Sequence, residues 1–323
     1  MFETRSVGAV RTAVMLGVFL LISNTPARAA SPTNIGSCTT ITTPGDYVLT
    51  KNLTSIGNCL ILTVSNVAID LHKHKITGSG SGAGITDNGN NIAYIIVANG
   101  KITNFAVGID LSTDSDQTSD LILNVNASRN KGDGIHIRGR DNNLLNVTAS
   151  SNQGNGVELG DCCDSLLKVT TNGNGGNGVS FSSEDYLLNV TSNSNSGDGV
   201  LGRSDSFVVN SVTDKNGGNG VELKDDDDLV LSSVANGNQG DGILQTGEDS
   251  QATNTKAGKN HAAGIDFQSE FGLATSVTTN KNGGDGVLLP CPGDAVRVSA
   301  KGNATNLDEL SMDMCTNVRN SAP

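Results

Sequence analysis

Two groups of side chains in this sequence have the types and spacing that chemistry needs. Asp110, His136, Arg138 and Glu158 combine an imidazole, a guanidinium and two carboxylates. Removing the C5 proton of a uronic acid takes a base near that carbon and a cation that neutralises the sugar carboxylate and the enolate it becomes. This set could supply both, as in a polysaccharide lyase or epimerase. Asp70, His72 and His74 form the second group. On a strand, residues at i, i+2 and i+4 share a face, so two imidazoles and a carboxylate would converge on Cu(II) or Zn(II). The adjacent Cys162 and Cys163 read as a vicinal disulfide, as soft-metal ligands, or as free or intermolecularly bridged thiols in an exposed turn, and the sequence leaves these open.

What must position these residues is a repeat. Gly-Asn-Gly or Gly-Asp-Gly followed by Val or Ile recurs with its last glycine at Gly134, Gly156, Gly178, Gly199, Gly220, Gly242 and Gly286, and a degenerate copy stands at Gly264. The spacings are 22, 22, 21, 21, 22, 22 and 22 residues, and Gly84 and Gly108 begin looser copies. Within each copy apolar and polar residues alternate, as in Ile135-His136-Ile137 and Val157-Glu158-Leu159, which is the period of a strand with one buried face. Glycine at 40 of 323 positions disfavours helices throughout. So short a unit cannot bury its apolar face alone, so copies must stack in register as a parallel β-solenoid, one coil per copy.

Stacking predicts ladders. Ile135, Val157, Val179, Val200, Val221, Ile243, Ile265 and Val287 should form one inward aliphatic row, and Val147, Val169, Val190, Val212, Val234 and Val277 a second. The glycine before each aliphatic residue is expected to supply a positive φ at a corner. Asn130, Asn152, Asn174, Asn195, Asn216, Asn238, Asn260 and Asn282 should stack their amides from coil to coil. Alternation places Asp110, His136, Glu158, Ser180, Glu222 and Asp266 on one outward stripe, so the first chemical group would meet on adjacent coils. His136 and Arg138 each interrupt otherwise regular rows, a pattern given both by a site grafted onto a scaffold and by drift on a solvated face. Acidic residues gather at one corner: Asp141, Asp161, Asp164, Glu184, Asp185, Asp205, Asp225 to Asp228, Glu248, Asp249 and Glu270. They read as Ca2+ ligands or as a solvated edge.

Residues 1–29 read as a secretory signal, with an apolar stretch from Ala13 to Ile22 and Ala27-Arg28-Ala29 as the cleavage site. The segment carries three arginines against one glutamate, so its removal takes the formal charge from -12 to about -14. An acidic chain excludes nucleic acid and anionic membrane as expected partners, and no second segment is apolar enough to span a bilayer. Six cysteines in an exported chain suggest bridges, with Cys38–Cys59 and Cys291–Cys315 stapling the two ends. The expected organisation is a cap and first coils over 30–80, a regular helix over 81–300 and a C-terminal cap or tail over 301–323.

The opening coils read Pro44-Gly45-Asp46-Tyr47-Val48-Leu49, then Asp70-Leu71-His72-Lys73-His74-Lys75-Ile76. This resembles bacterial right-handed parallel β-helix proteins of the pectate-lyase-like superfamily, including the periplasmic copper-deposition accessory family of nitrous oxide reductase. His72 and Lys73 stand where that family has Asn-Gly. The resemblance implies an all-β, single-stranded right-handed parallel β-helix of about 10 or more coils, roughly 22 residues each. It also implies that His74 belongs to a structural turn. The superfamily's hydrolase signatures are missing, so a lyase or epimerase is the expected chemistry if the chain is an enzyme. The reading is a secreted or periplasmic β-helix associated with polysaccharide or cell surface, binding or structural; the alternatives are a uronate lyase or epimerase and a metal-handling accessory protein.

Overall fold

In a computed structural model, residues 31–89, 91–112, 118–290, 292–309 and 316–318 are described. The proposed signal segment and the Cys291–Cys315 pair lie outside them. The described residues form an all-β parallel solenoid of about 12 turns, roughly 22 residues apart, and none of them is in a helix. Described strands fall into sheets of 16, 13 and 4, which form three walls. Wall A contains strands such as Asn143–Leu145 and Ser165–Leu167, and wall B those such as Ile135–Ile137 and Val157–Leu159. Wall C is a ladder of single bridges from Asn126 to Val234 that becomes a sheet at Val234–Asn236, Lys256–Gly258, Thr278–Asn280 and Ser299–Lys301.

The register joins each residue to its counterpart one coil on: Ile135 to Val157, Val157 to Val179, Val179 to Val200. This inward row is fully buried through Val287. At roughly 25 cal/mol per Å2 of apolar surface removed from water, such a row is the main source of stability. The second row differs from expectation. Val147, Val169, Val190 and Val277 point inward, but Val212 and Val234 are half-buried and lie in the wall C ladder, Val212 bridging Thr191 on one side and Val234 on the other. Ser211, Ser233 and Thr255 hold the inward place instead. The reason is register, since a one-residue offset moves a side chain to the other face.

The repeat glycines also act differently from expectation. They lack a positive φ; the left-handed corners fall on Asn146 (54°), Cys163 (72°) and Lys259 (59°) and on their counterparts. What each repeat glycine provides is clearance. A Cβ on Gly156 would stand 2.5 Å from the Gly178 carbonyl oxygen and 2.7 Å from the Ala149 oxygen and Asn174 Nδ2.

Asn174 belongs to the amide ladder, which forms as expected and is buried. Asn195 Oδ1 accepts the backbone N–H of Asn174 at 2.9 Å and its Nδ2 at 3.0 Å, and Asn195 Nδ2 donates to Asn216 Oδ1 at 3.1 Å. The pattern repeats to Asn303. Each amide thereby satisfies a backbone donor that the tight corner leaves unpaired.

A second polar ladder corrects the reading of the acidic corner. Asp164, Asp185 and Asp228 are buried beneath that corner, in line with Asn142, Ser206 and Ser250. The backbone N–H of Asn142 donates to Asp164 Oδ1 at 2.7 Å, and that of Asp164 to Asp185 Oδ1 at 2.7 Å. Their Oδ2 atoms are buried without a partner. Burial pushes these carboxyls up, to about 9 for Asp164 and about 8 for Asp185 and Asp228. They are therefore neutral acids at pH 7.

Two outcomes follow. Asn195→Ala strands buried donors on Asn174, at about 1–3 kcal/mol for each group left unpaired, so its unfolding midpoint in guanidinium should fall well below wild type. Asp164→Asn should behave oppositely with pH. The folded pKa lies above the unfolded one, so wild-type stability is fully present below about pH 4 and is lost as pH rises toward about 9. The variant should match wild type near pH 4 and exceed it near pH 9 in the same unfolding assay.

Candidate functional site

The register brings the first chemical group together. Asp110 pairs with His136 and His136 with Glu158 on the outward face of wall B. The inward neighbours Ile135, Ile137, Val157 and Leu159 are buried, so the outward side chains are fixed from beneath. His136 Nδ1 lies 3.4 Å from Asp110 Oδ1, with both side chains mostly covered. Asp110 Oδ1 accepts no well-directed hydrogen bond, so the contact is electrostatic and becomes an ion pair when the imidazole is protonated. Asp110 beside it raises the His136 pKa, against the opposing effect of burial. Burial works to raise Asp110, but His136, Ser112 and Arg138 together hold its carboxyl below the usual value.

Glu158 Oε2 accepts a hydrogen bond from Asn155 Nδ2 of the preceding corner, and Glu222 repeats this with Asn219 Nδ2 at 2.8 Å. Glu222 also pairs with Lys224 at 3.1 Å. Ser180 continues the stripe, and Asp266 does so as a buried carboxylate that accepts from Gln268 Nε2 at 3.1 Å. The expected stripe is therefore one row, although its far end is more covered than a solvated face.

A shallow groove of about 350 Å3 runs along this face, lined by His136, Arg138, Glu158, Gly160, Ser182 and Arg203. A second hollow of about 350 Å3 continues it past Asp110 and Ser112 to Asp87 and Gly82. Gly160 explains the floor. A Cβ there would sit 2.7 Å from Arg138 Cγ, so its absence lets the arginine lie along the wall across the next coil. Arg203 occupies the matching row farther on and stands 3.9 Å from Asp225. Sequence reasoning missed Arg203, Gly160 and Ser182. Steps of 22, 22 and 21 from Arg138 lead to each in turn, so the repeat ruler contained the signal.

The second chemical group is arranged differently. Only Asp70 is on a strand; Leu71 to His74 form a turn with positive φ at His72 and Lys73, so the shared-face premise fails. His72 donates its backbone N–H to Asp70 Oδ1 at 2.8 Å, and its Nδ1 lies 3.9 Å from Oδ2. The His72 and His74 rings are 6.1 Å apart. Cys162, Cys163 and Glu184 also lie within ligand distance of one another, but the two cysteines are bonded to each other and offer no thiolate to a metal. Cys162 and Cys163 form a vicinal disulfide, with Arg140 Nε 3.0 Å from the Cys162 sulfur. Cys38–Cys59 is bridged as expected, which fits an oxidising compartment.

No protein-family model matches the chain, and no curated protein matches its sequence. Among solved structures, the A-module of the Azotobacter vinelandii mannuronan C-5 epimerase AlgE6 aligns with a TM-score of 0.66 at 15% identity, covering 81% of this chain and 82% of the module. The AlgE4 A-module aligns at 0.63 and 15%, covering 79% and 80%. The likeness is one of fold: the protein is a right-handed parallel β-helix. The comparisons reach that class and do not single out the copper-deposition family within it.

The Asp110–His136 contact gives a direct readout. His136 should titrate above the ordinary imidazole value in an NMR pH series, and Asp110→Asn should bring it down.

Proposed function

We propose that the protein is an exported β-helix that binds an acidic polysaccharide along wall B, with the groove at Arg138 as its central subsite. The observation that carries this reading is the cationic row over a glycine floor. Arg138 and Arg203 stand three coils apart in one groove, with Gly160 and Ser182 between them and the raised-pKa His136 beside them. Coils about 4.8 Å apart give a flat, extended track that suits a linear polymer. Guanidinium groups recognise carboxylates by paired, charge-assisted hydrogen bonds. Similarity in fold to modules named for acting at C-5 of mannuronan supports a uronate polymer as the class of ligand.

A second reading is a lyase or epimerase, favoured by the Asp110–His136 contact beside Arg138. In that chemistry the arginine would neutralise the sugar carboxylate while a flanking group takes or gives the C5 proton.

Titrating the chain with polygalacturonate and polymannuronate, with and without calcium, tests both. Binding should weaken at least about 10-fold, or 1.4 kcal/mol, in Arg138→Ala/Arg203→Ala. Ultraviolet absorbance of unsaturated product, or altered C5 stereochemistry by NMR, would select the second reading. No binding to either polymer would remove both.

A further inference from the structure

A second groove lies on wall C, away from the residues above, and does not rest on the reading of wall B. It measures about 530 Å3 and is lined by Lys256, Lys259, Lys281 and Lys301, with Gly258 in its floor. All four lysines are exposed, and none enters an ion pair among the described residues. The chain as a whole has a formal charge of -12, so four unneutralised ammonium groups in one groove run against its general field.

The backbone beneath supports a site. Wall C runs as single bridges from Asn126 to Val234 and is a four-stranded sheet from Val234–Asn236 to Ser299–Lys301, the stretch around these lysines. Lys256 pairs with Thr278, Gly258 with Asn280, and Asn280 with Lys301, so the lysines sit at fixed heights along a flat surface. Gly258 keeps that surface open, because a Cβ there would meet the Asn280 carbonyl at 3.0 Å and Asn236 Oδ1 at 3.3 Å.

Lys259 and Lys281 hold φ of 59° and 58°. Gly173, Gly237 and Gly302 occupy the same corner in other coils, as do Arg129, Ser151, Ser194 and Lys215. A left-handed residue with a Cβ is strained where glycine is not. The left-handed corner is a feature of the coil, and on these two adjacent coils it sets a lysine beside the groove.

We propose that this groove binds the acid groups of an extended anionic polysaccharide, each ammonium meeting a carboxylate or sulfate on successive sugars. A linear polymer fits better than a small anion, because the cations are spread along the coil axis rather than gathered around one point. A point-like ammonium needs only charge proximity, unlike the bidentate fork of arginine, so wall C would hold the polymer with less demand on its orientation than wall B.

The test is lysine footprinting by amine acetylation and mass spectrometry, with polygalacturonate as probe and dextran and oligo(dT) as comparison polymers. Polygalacturonate should slow modification of Lys256, Lys259, Lys281 and Lys301 several-fold, leaving Lys51 and Lys168 unaffected, and the protection should fade as salt rises. The same protection should persist in Arg138→Ala/Arg203→Ala, which separates it from wall B. In that background, Lys259→Asn/Lys281→Asn should lower affinity for polygalacturonate about 10-fold or more. Asparagine tolerates the left-handed corner, so an unchanged unfolding midpoint would show that the fold is intact. Unchanged affinity, absence of protection, equal protection by dextran, or protection by oligo(dT) alone would each overturn the proposal.

Discussion

Through the described coils, each strand residue meets its own counterpart on the coils next to it, at the spacing of a β-ladder. That single constraint decides which residue types each row tolerates. Aliphatic on aliphatic is favourable everywhere, and Ile135 through Val287 fill the interior this way. Amide on amide is the polar combination that closes, because each asparagine offers a donor upward and an acceptor downward. Carboxylate on carboxylate does not close, and Asp164 above Asp185 resolves the conflict by holding a proton. Cations are spaced on wall B, where Gly160 and Ser182 separate Arg138 from Arg203, while Lys259 and Lys281 follow each other on adjacent coils at an exposed corner, where water screens them.

The fold was legible because stacking writes itself into the sequence as a period. The asparagine row and the first aliphatic row followed from spacing alone. The errors arose where residue type was read ahead of register. Val212 and Val234 are valines beside the inward place, and counting five residues back from Asn216 and Asn238 reaches Ser211 and Ser233, which occupy it. Glycine suggested positive φ, yet the backbone needed clearance at Gly156 and placed its left-handed corners on asparagine, lysine and cysteine.

The candidate site was partly legible for the same reason. Asp110, His136 and Glu158 meet because their spacings match the coil, and no feature of their chemistry was required to see it. Asp70, His72 and His74 lie in the irregular opening coils, where alternation gives way to a turn and the ruler has no hold. Burial of Asp164, Asp185 and Asp228 was hidden because aspartate in a turn ordinarily faces water. It becomes evident only when Asn142 and Ser206 are seen to share the row. Both grooves depend on glycines outside the repeat motif, Gly160 and Gly258, whose role is visible only once a neighbouring side chain or carbonyl is placed against them.

The Cys38–Cys59 bridge has a bearing on how the molecule comes apart. It joins residues 21 apart, one coil to the next, at the first described turns. In a stack whose units contact only their neighbours, coils are lost from an end rather than from the middle. A covalent clasp across the first coils closes one of those ends. Loss of coils from that end therefore requires the clasp to open first, so reduction of Cys38–Cys59 would expose the first coils, and after them the coils that hold the Asp110–His136 pair, to unravelling from the N-terminal side.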